Sequence, residues 1–213
     1  QVESVYSHFS TAEESDTQYR DWQLKRFKKV VKIANEILPE TEYFHIANSA
    51  GILNCPDSHF NMVRPGISLY GVSSLGKFHE KLSPVMRMKA PVVMVKHVKA
   101  GESVGYNRLF TAEKDENIAL LQAGYADGIP VEFSNSGSVE INGSYFPITG
   151  KVSMDLVAIR CQDANISKGD EAIFWGGKNK NIRVETLAKQ YNIIPYQFLT
   201  GVGSRVNRKL INE

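Results

Sequence analysis

The first eleven residues, "QVESVYSHFST", set Val2, Val5 and Phe9 among polar neighbours, the alternation of a strand entered part-way along. "EESD" then offers Ser15 or Asp16 as a helix N-cap. Tyr19, Trp22, Phe27, Val30, Val31, Ala34 and Ile37 follow at three- and four-residue spacing. That spacing predicts one face of an amphipathic helix, which "LPE" terminates. "YFHIAN" (residues 43–48) predicts a second buried strand, "SAGIL" a short helix and "SLYGV" (residues 68–72) a third strand. The rhythm is that of a parallel α/β barrel or a doubly wound sheet.

Near Pro84 the rhythm changes. Short β-type runs such as "APVVMV", "IALLQAGYA" and "VAIRC" now alternate with the turn clusters "AGES", "SNSGS", "ITG", "SKGD" and "WGGKNK". "INGS" carries the Asn-Gly signature of a tight hairpin, and "RVETLAKQYN" predicts one further helix. The expected organisation is an α/β domain over residues 1–84 and a β-rich domain over residues 85–213. A parallel barrel closes with eight strands in about 250 residues, whereas the first 84 positions hold about three. Such strands expose their edges unless another segment covers them. The expectation is therefore that Gln1 marks a cut in a longer polypeptide, whose N-terminal barrel segment is missing here.

Composition narrows the class without adding chemistry. Hydrophobic residues make up 42% of the 213 positions and charged residues 23%, and the formal net charge is +2. That balance gives no reason to expect nucleic acid or an anionic membrane as partner. The apolar runs are strand-sized and too short to span a bilayer. Cys55 and Cys161 stand far apart with no C-x-x-C, as expected of reduced thiols in a cytoplasmic protein.

Candidate chemistry concentrates around "FNMVRPGISLYGV". Arg64 interrupts an apolar run, and burying a guanidinium costs several kcal/mol, on the order of 3–5 when its partner is lost. Ser49 falls where a strand gives way to a helix, so its hydroxyl and the helix start could hold a phosphate. Gly66 and Ile67 could add two backbone N–H donors, because Pro65 has none and glycine lets a ligand come close. Read singly, Ser49 is a helix cap and Arg64 half of an internal ion pair.

Together these residues carry a resemblance. "YSHFSTAEESD", "HIANSAGIL", "FNMVRPGISLYG", "SVGYN", "AGYADGIP" and "GKVSMD" resemble the alanine racemases, pyridoxal-phosphate enzymes of fold type III, in the family's order and with near-family spacing. The resemblance runs from about Val5 to the C-terminus. It implies the C-terminal part of a TIM-type (β/α)8 barrel followed by a β-rich domain. It also implies interconversion of L- and D-alanine, supplying D-alanine for peptidoglycan.

By resemblance, Arg64 faces the pyridine nitrogen of pyridoxal 5'-phosphate and His45 orients its guanidinium. A guanidinium donates a hydrogen bond without surrendering its proton, so the pyridine stays neutral and is a weaker electron sink, which discourages transamination. Ser49, Gly66 and Ile67 take the phosphate. Tyr106 matches the catalytic tyrosine serving the L-alanine face, and His8 the histidine that hydrogen-bonds it. A free phenol, with a pKa near 10, is a poor base at pH 7 without such help. Met154 matches the residue whose amide binds the substrate carboxylate, and Tyr125 belongs to the path by which substrate enters. In the family Tyr106, Tyr125 and Met154 act on the neighbouring subunit's barrel, which implies a homodimer with shared active sites.

Two departures stand out. The cofactor lysine of a "VKANAYGHG"-like motif has no counterpart, and none of the lysines here has that context. The first barrel half's substrate-binding arginine is likewise missing, so half an active site is expected and no activity from this stretch alone. Some members carry a phosphate-binding tyrosine where "GVGSRV" has Ser204, whose hydroxyl is a weaker match. Three rivals share features. Fold-type III decarboxylases use a glycine-rich phosphate loop and a Cys-Asp pair, but Cys161 precedes Gln162. A non-catalytic barrel that binds the cofactor has no use for the β-rich domain. The racemase module of a membrane-bound serine/alanine racemase looks much the same as the sequence here. No metal site is expected.

Overall fold

The structure, a computed structural model, describes residues 1–76, 81–162, 164–177 and 179–211. Lys178 of the expected "WGGKNK" turn lies outside them. The chain divides into two compact units, Gln1–Val85 and Met86–Glu213.

The first unit opens with β1 (Ser4–Tyr6), which pairs in parallel with β2 (Tyr43–His45) in the register Ser4 to Tyr43 and Tyr6 to His45. Between them runs α1 (Gln18–Ile37). Its N-cap is Thr17, not Ser15 or Asp16; the Asp16 carboxylate instead accepts from the Gln18 amide at 2.9 Å. Only part of the expected apolar face is covered. Leu24, Phe27 and Ala34 are buried, while Tyr19, Trp22, Val30 and Ile37 remain exposed. Phe9, Ala12, Leu24, Phe27, Ile46, Ala50 and Cys55 form the core of this unit. The short helix α2 (Ser49–Asn54) forms as expected, but its N-cap is Asn48, whose side chain accepts from the Gly51 amide at 2.9 Å, and Ser49 is the first helical residue and not the cap.

A predicted strand is also missing. "SLYGV" is no strand: Ile67–Tyr70 winds into a 3-10 helix that ends on Gly71 at φ 72°. A Cβ at Gly71 would fall 1.8 Å from the Ser83 carbonyl oxygen, so a side chain has no room there. The first unit thus shows two paired strands among its described residues, not three.

The second unit is built on a closed antiparallel barrel of six strands. These are β3 (Met88–Val98), β6 (Glu116–Leu121), β7 (Ser138–Ile141), β8 (Ser144–Thr149), β9 (Val157–Arg160) and β10 (Glu171–Trp175). Round the barrel the order is β10, β3, β6, β9, β8, β7, and closure removes the free edges that such a sheet would otherwise expose. The β7–β8 turn is Asn142-Gly143, both left-handed, as the Asn-Gly pair demands. A separate two-stranded hairpin, β4 (Ser103–Val104) with β5 (Phe110–Thr111), carries Tyr106 in its turn. The predicted helix is α3 (Val184–Tyr191), closed by Asn192 in the left-handed region; α4 (Pro195–Thr200) follows, with proline in its first turn.

Phe133, Trp175 and Phe198 are fully buried, with Trp175 edge-on to Phe198 at 5.3 Å between ring centroids and Phe133 6.1 Å from Phe198. Phe133→Ala should therefore cost the second unit about 3–5 kcal/mol. Denaturant unfolding followed by Trp175 fluorescence, in a Trp22→Phe background, measures it. A loss below about 1 kcal/mol would contradict this packing.

Candidate active site

Arg64 is drawn into the first unit by its backbone and by both terminal nitrogens of its guanidinium. Its backbone amide donates to the Ala47 carbonyl at 3.0 Å, fixing the residue beside the end of β2. One terminal nitrogen, Nη1, meets the Nδ1 of His45 and donates to the His45 carbonyl at 3.3 Å. The other, Nη2, donates to the Ser7 carbonyl at 2.8 Å and lies 3.2 Å from the His8 Nδ1. Tyr6 stacks flat on His45 at 5.4 Å, and the guanidinium carbon stands 5.5 Å from the Tyr6 ring centre. None of these contacts uses the Nε–H of Arg64.

His45 is buried, and burial, followed by the charge of Arg64, lowers its pKa below 6.5. The ring is thus neutral near pH 7, and its Nδ1 can accept from the guanidinium. His8 completes the cluster, with its Nε2 3.4 Å from the Asn48 side-chain amide.

Ser49, the first residue of α2, is buried, and its hydroxyl oxygen is surrounded by donors. Gly66 N–H reaches it at 2.8 Å, Ser68 N–H at 3.3 Å and the Ser68 hydroxyl at 3.2 Å. With its lone pairs so occupied, the Ser49 O–H is left to donate outward. Of the expected amide pair, Gly66 is spent on Ser49, while the Ile67 N–H has no partner among the described residues. Ser49 and the Arg64 cluster thus come together around α2.

In the second unit, Tyr106 is 67% exposed, in a 3-10 turn behind Gly105. Gly105 backs onto the start of Lys151: a Cβ there would lie 3.3 Å from the Lys151 amide nitrogen. Beyond Lys151 runs the turn that carries Met154, in which the Ser153 hydroxyl donates to the Leu156 carbonyl at 2.7 Å. That turn packs on a second one, Tyr125–Asp127. Tyr125 N–H donates to the Ser153 carbonyl at 2.9 Å and Ala126 N–H to the Met154 carbonyl at 3.1 Å. Gly124 makes this crossing possible, since a Cβ would fall 2.2 Å from the Ser153 oxygen and 2.3 Å from that of Met154. Met154 N–H has no partner among the described residues.

Arg205 was not among the residues singled out by sequence. Its Nε and Nη2 fork onto the Asp127 carboxylate at 2.7 and 2.9 Å, and Nη2 also reaches Asp155 at 2.7 Å. The two carboxylates raise its pKa, so it stays charged. The signal lay in three of the quoted motifs, "GYADG", "VSMD" and "GVGSRV", each contributing one charge. Ser204 beside it is exposed. Cys55 and Cys161 are buried and unpaired. Among the described residues no group of His, Cys, Asp or Glu could hold a metal ion, and no helix is long and apolar enough to cross a membrane.

The depressed pKa of His45 has a checkable consequence. Folding favours its neutral ring, so the stability it allows is complete above about pH 6.5 and is lost as pH falls through the lower folded value. In an NMR titration the His45 ring should titrate below 6.5. A midpoint at or above the unperturbed value would contradict the burial of a neutral imidazole.

Comparison with known proteins follows the same division of the chain. Residues 1–74 match the family profile described as alanine racemase, N-terminal domain, and residues 85–210 match alanine racemase, C-terminal domain. An alanine racemase of Vesicomyosocius okutanii is 41% identical over 205 residues, covering 96% of this chain and 56% of that protein. The solved alanine racemase of Streptomyces coelicolor superposes with a TM-score of 0.92 at 35% identity, covering 100% of this chain and 57% of that one. That of Bartonella henselae, solved with covalently bound pyridoxal phosphate, gives 0.85 at 32% identity over 99% of this chain and 57% of that one. The chain thus spans a little over half the length of the relatives it matches, and on two domain profiles and these likenesses it belongs to the alanine racemase family.

Proposed function

We propose that this chain forms part of a pyridoxal-phosphate-dependent racemase that interconverts L- and D-alanine. The single observation that carries the reading is the Nε–H of Arg64, which has no partner among the described residues, on a guanidinium held by a neutral His45 beside the Ser49 hydroxyl and the Ile67 amide, likewise without a described partner. A group with one neutral acceptor and one phosphate suits that donor set. Pyridoxal phosphate, when bound, supplies the electron withdrawal that acidifies the α-C–H of the amino acid.

In this reading Ser49 and Ile67 hold the phosphate, with Gly66 bracing Ser49, and Ser204 is a further candidate donor. Arg64 donates to the ring nitrogen and His45 orients its guanidinium; His8, expected from sequence to hydrogen-bond Tyr106, lies 3.2 Å from an Arg64 nitrogen in this structure and can brace the guanidinium as well. Tyr106 removes or returns the α-proton on the L-alanine face. The Met154 amide receives the substrate carboxylate, a role its unpartnered N–H suits, and Tyr125 borders the access path. The opposite base and the cofactor lysine have no counterpart assigned in this chain. The parallel β1–α1–β2 arrangement supports assigning the first unit to a (β/α)8 barrel, divided from the β-rich domain near residue 84. We further propose a homodimer in which Tyr106, Tyr125 and Met154 serve the partner's barrel, a cytoplasmic location, and a role in supplying D-alanine for peptidoglycan.

The test uses a family-length protein containing this chain, loaded with pyridoxal phosphate, in deuterated water. Tyr106→Phe should lower racemisation at least ~100-fold and suppress α-proton exchange from L-alanine much more than from D-alanine. Equal loss from both enantiomers would remove Tyr106 from the role of base. An unaltered protein that racemises L-serine in preference to L-alanine would overturn the choice of substrate.

A further inference from the structure

We infer that Arg205 is a positioning residue that locks the Tyr125 turn to the Met154 turn, and so fixes the substrate-facing side of the second unit. The inference rests on the reading above for what Tyr125 and Met154 do, while the lock itself is a matter of geometry.

Tyr125–Asp127 is a single 3-10 turn and the Met154 turn is irregular, so no strand or α-helix holds one against the other. Two backbone bonds join them, Tyr125 N–H to Ser153 and Ala126 N–H to Met154. Each turn also carries a carboxylate, Asp127 on one and Asp155 on the other. Asp127 Oδ2 already accepts from the Gly124 amide at 2.8 Å, closing its own turn. Left alone, two like charges on adjoining turns would push them apart. Arg205 reverses that sign. Its guanidinium grips Asp127 with two nitrogens, takes Asp155 at 2.7 Å and donates to the Met154 carbonyl at 3.4 Å. One side chain therefore touches both turns, including the peptide group of Met154 itself.

The segment that bears Arg205 is anchored in the same place. A Cβ on Gly203 would lie 3.0 Å from the Ala126 carbonyl oxygen, and one on Gly128 would lie 2.7 Å from that of Gly201. The 201–205 strap is thus laid directly on the Tyr125 turn. An exposed ion pair adds little to stability, so the value of this one lies in geometry. A planar fork bridging two carboxylates sets an orientation that a lysine cannot reproduce.

The experiment compares Arg205→Leu and Arg205→Lys with the unaltered family-length protein. Amide hydrogen exchange at Tyr125 and Ala126 should speed up by about tenfold or more in Arg205→Leu, with exchange in β6 and β9 unchanged, the mark of local opening. The KM for alanine should rise by about 10- to 100-fold with a smaller change in kcat, since displacement by about 1 Å is enough for such a loss. Arg205→Lys should fall between the two. Unchanged exchange at Tyr125 and Ala126 would overturn the lock. Faster exchange with unaltered KM would overturn the positioning role, and faster exchange throughout the barrel would make Arg205 a plain stabiliser. If the unaltered protein does not racemise alanine, the proposed function fails instead, and the exchange rates still decide the lock.

Discussion

The half-buried guanidinium of Arg64 needs partners, and meeting that need ties together the ends of the first unit's two strands. Arg64 takes its partners from the ends of both strands: the Ser7 carbonyl and His8 ring just beyond β1, and the His45 ring and carbonyl at the end of β2. The parallel pairing of β1 with β2 brings those groups side by side. His45 can accept only if it is neutral, and its burial ensures that. Among the described residues the charge is met by acceptors and not by a carboxylate, and the contacts use the two terminal nitrogens, leaving the Nε–H aside. A carboxylate in the cluster would have offset that charge. This is the physical difference between an arginine stored in an ion pair and one poised to donate to a ligand.

The second unit solves a different problem. Its six strands close on themselves, so the barrel supplies rigidity, and its candidate functional groups are borne on turns outside the ladder. Tyr106, Tyr125 and Met154 are all substantially exposed. Turns with few buried contacts open easily, and here they are held by glycine-permitted backbone crossings and by charge. Gly124 lets two peptide planes approach at a distance no side chain allows, and Arg205 bridges the two carboxylates nearby. The two turns are thus fastened locally on a rigid support, the arrangement that a precise site requires.

Much of this was legible in the sequence, for particular reasons. Asn142-Gly143 announced its hairpin because few other pairs tolerate two left-handed residues. Arg64 was conspicuous because charge rarely interrupts an apolar run. The failures have equally definite causes. "SLYGV" has the apolar content of a short strand, yet Ile67–Tyr70 is a 3-10 helix ending on Gly71 with Ser83 close against it, and no local pattern shows a contact twelve residues away. Strand-like runs showed a β-rich second unit, but closure into a barrel depends on the β10–β7 pairing, which is non-local. Arg205 was passed over because an arginine in a C-terminal loop looks like solvated surface. Its meaning lies in Asp127 and Asp155, 78 and 50 residues away.

In the proposed site Arg64 donates to a neutral pyridine nitrogen. The most direct measurement is the 15N NMR shift of pyridoxal phosphate labelled at its ring nitrogen and bound to a family-length protein containing this chain. The account predicts the shift of an unprotonated, hydrogen-bonded pyridine near neutral pH, moving when Arg64 is changed to leucine. A pyridinium shift, or one indifferent to that substitution, would contradict it.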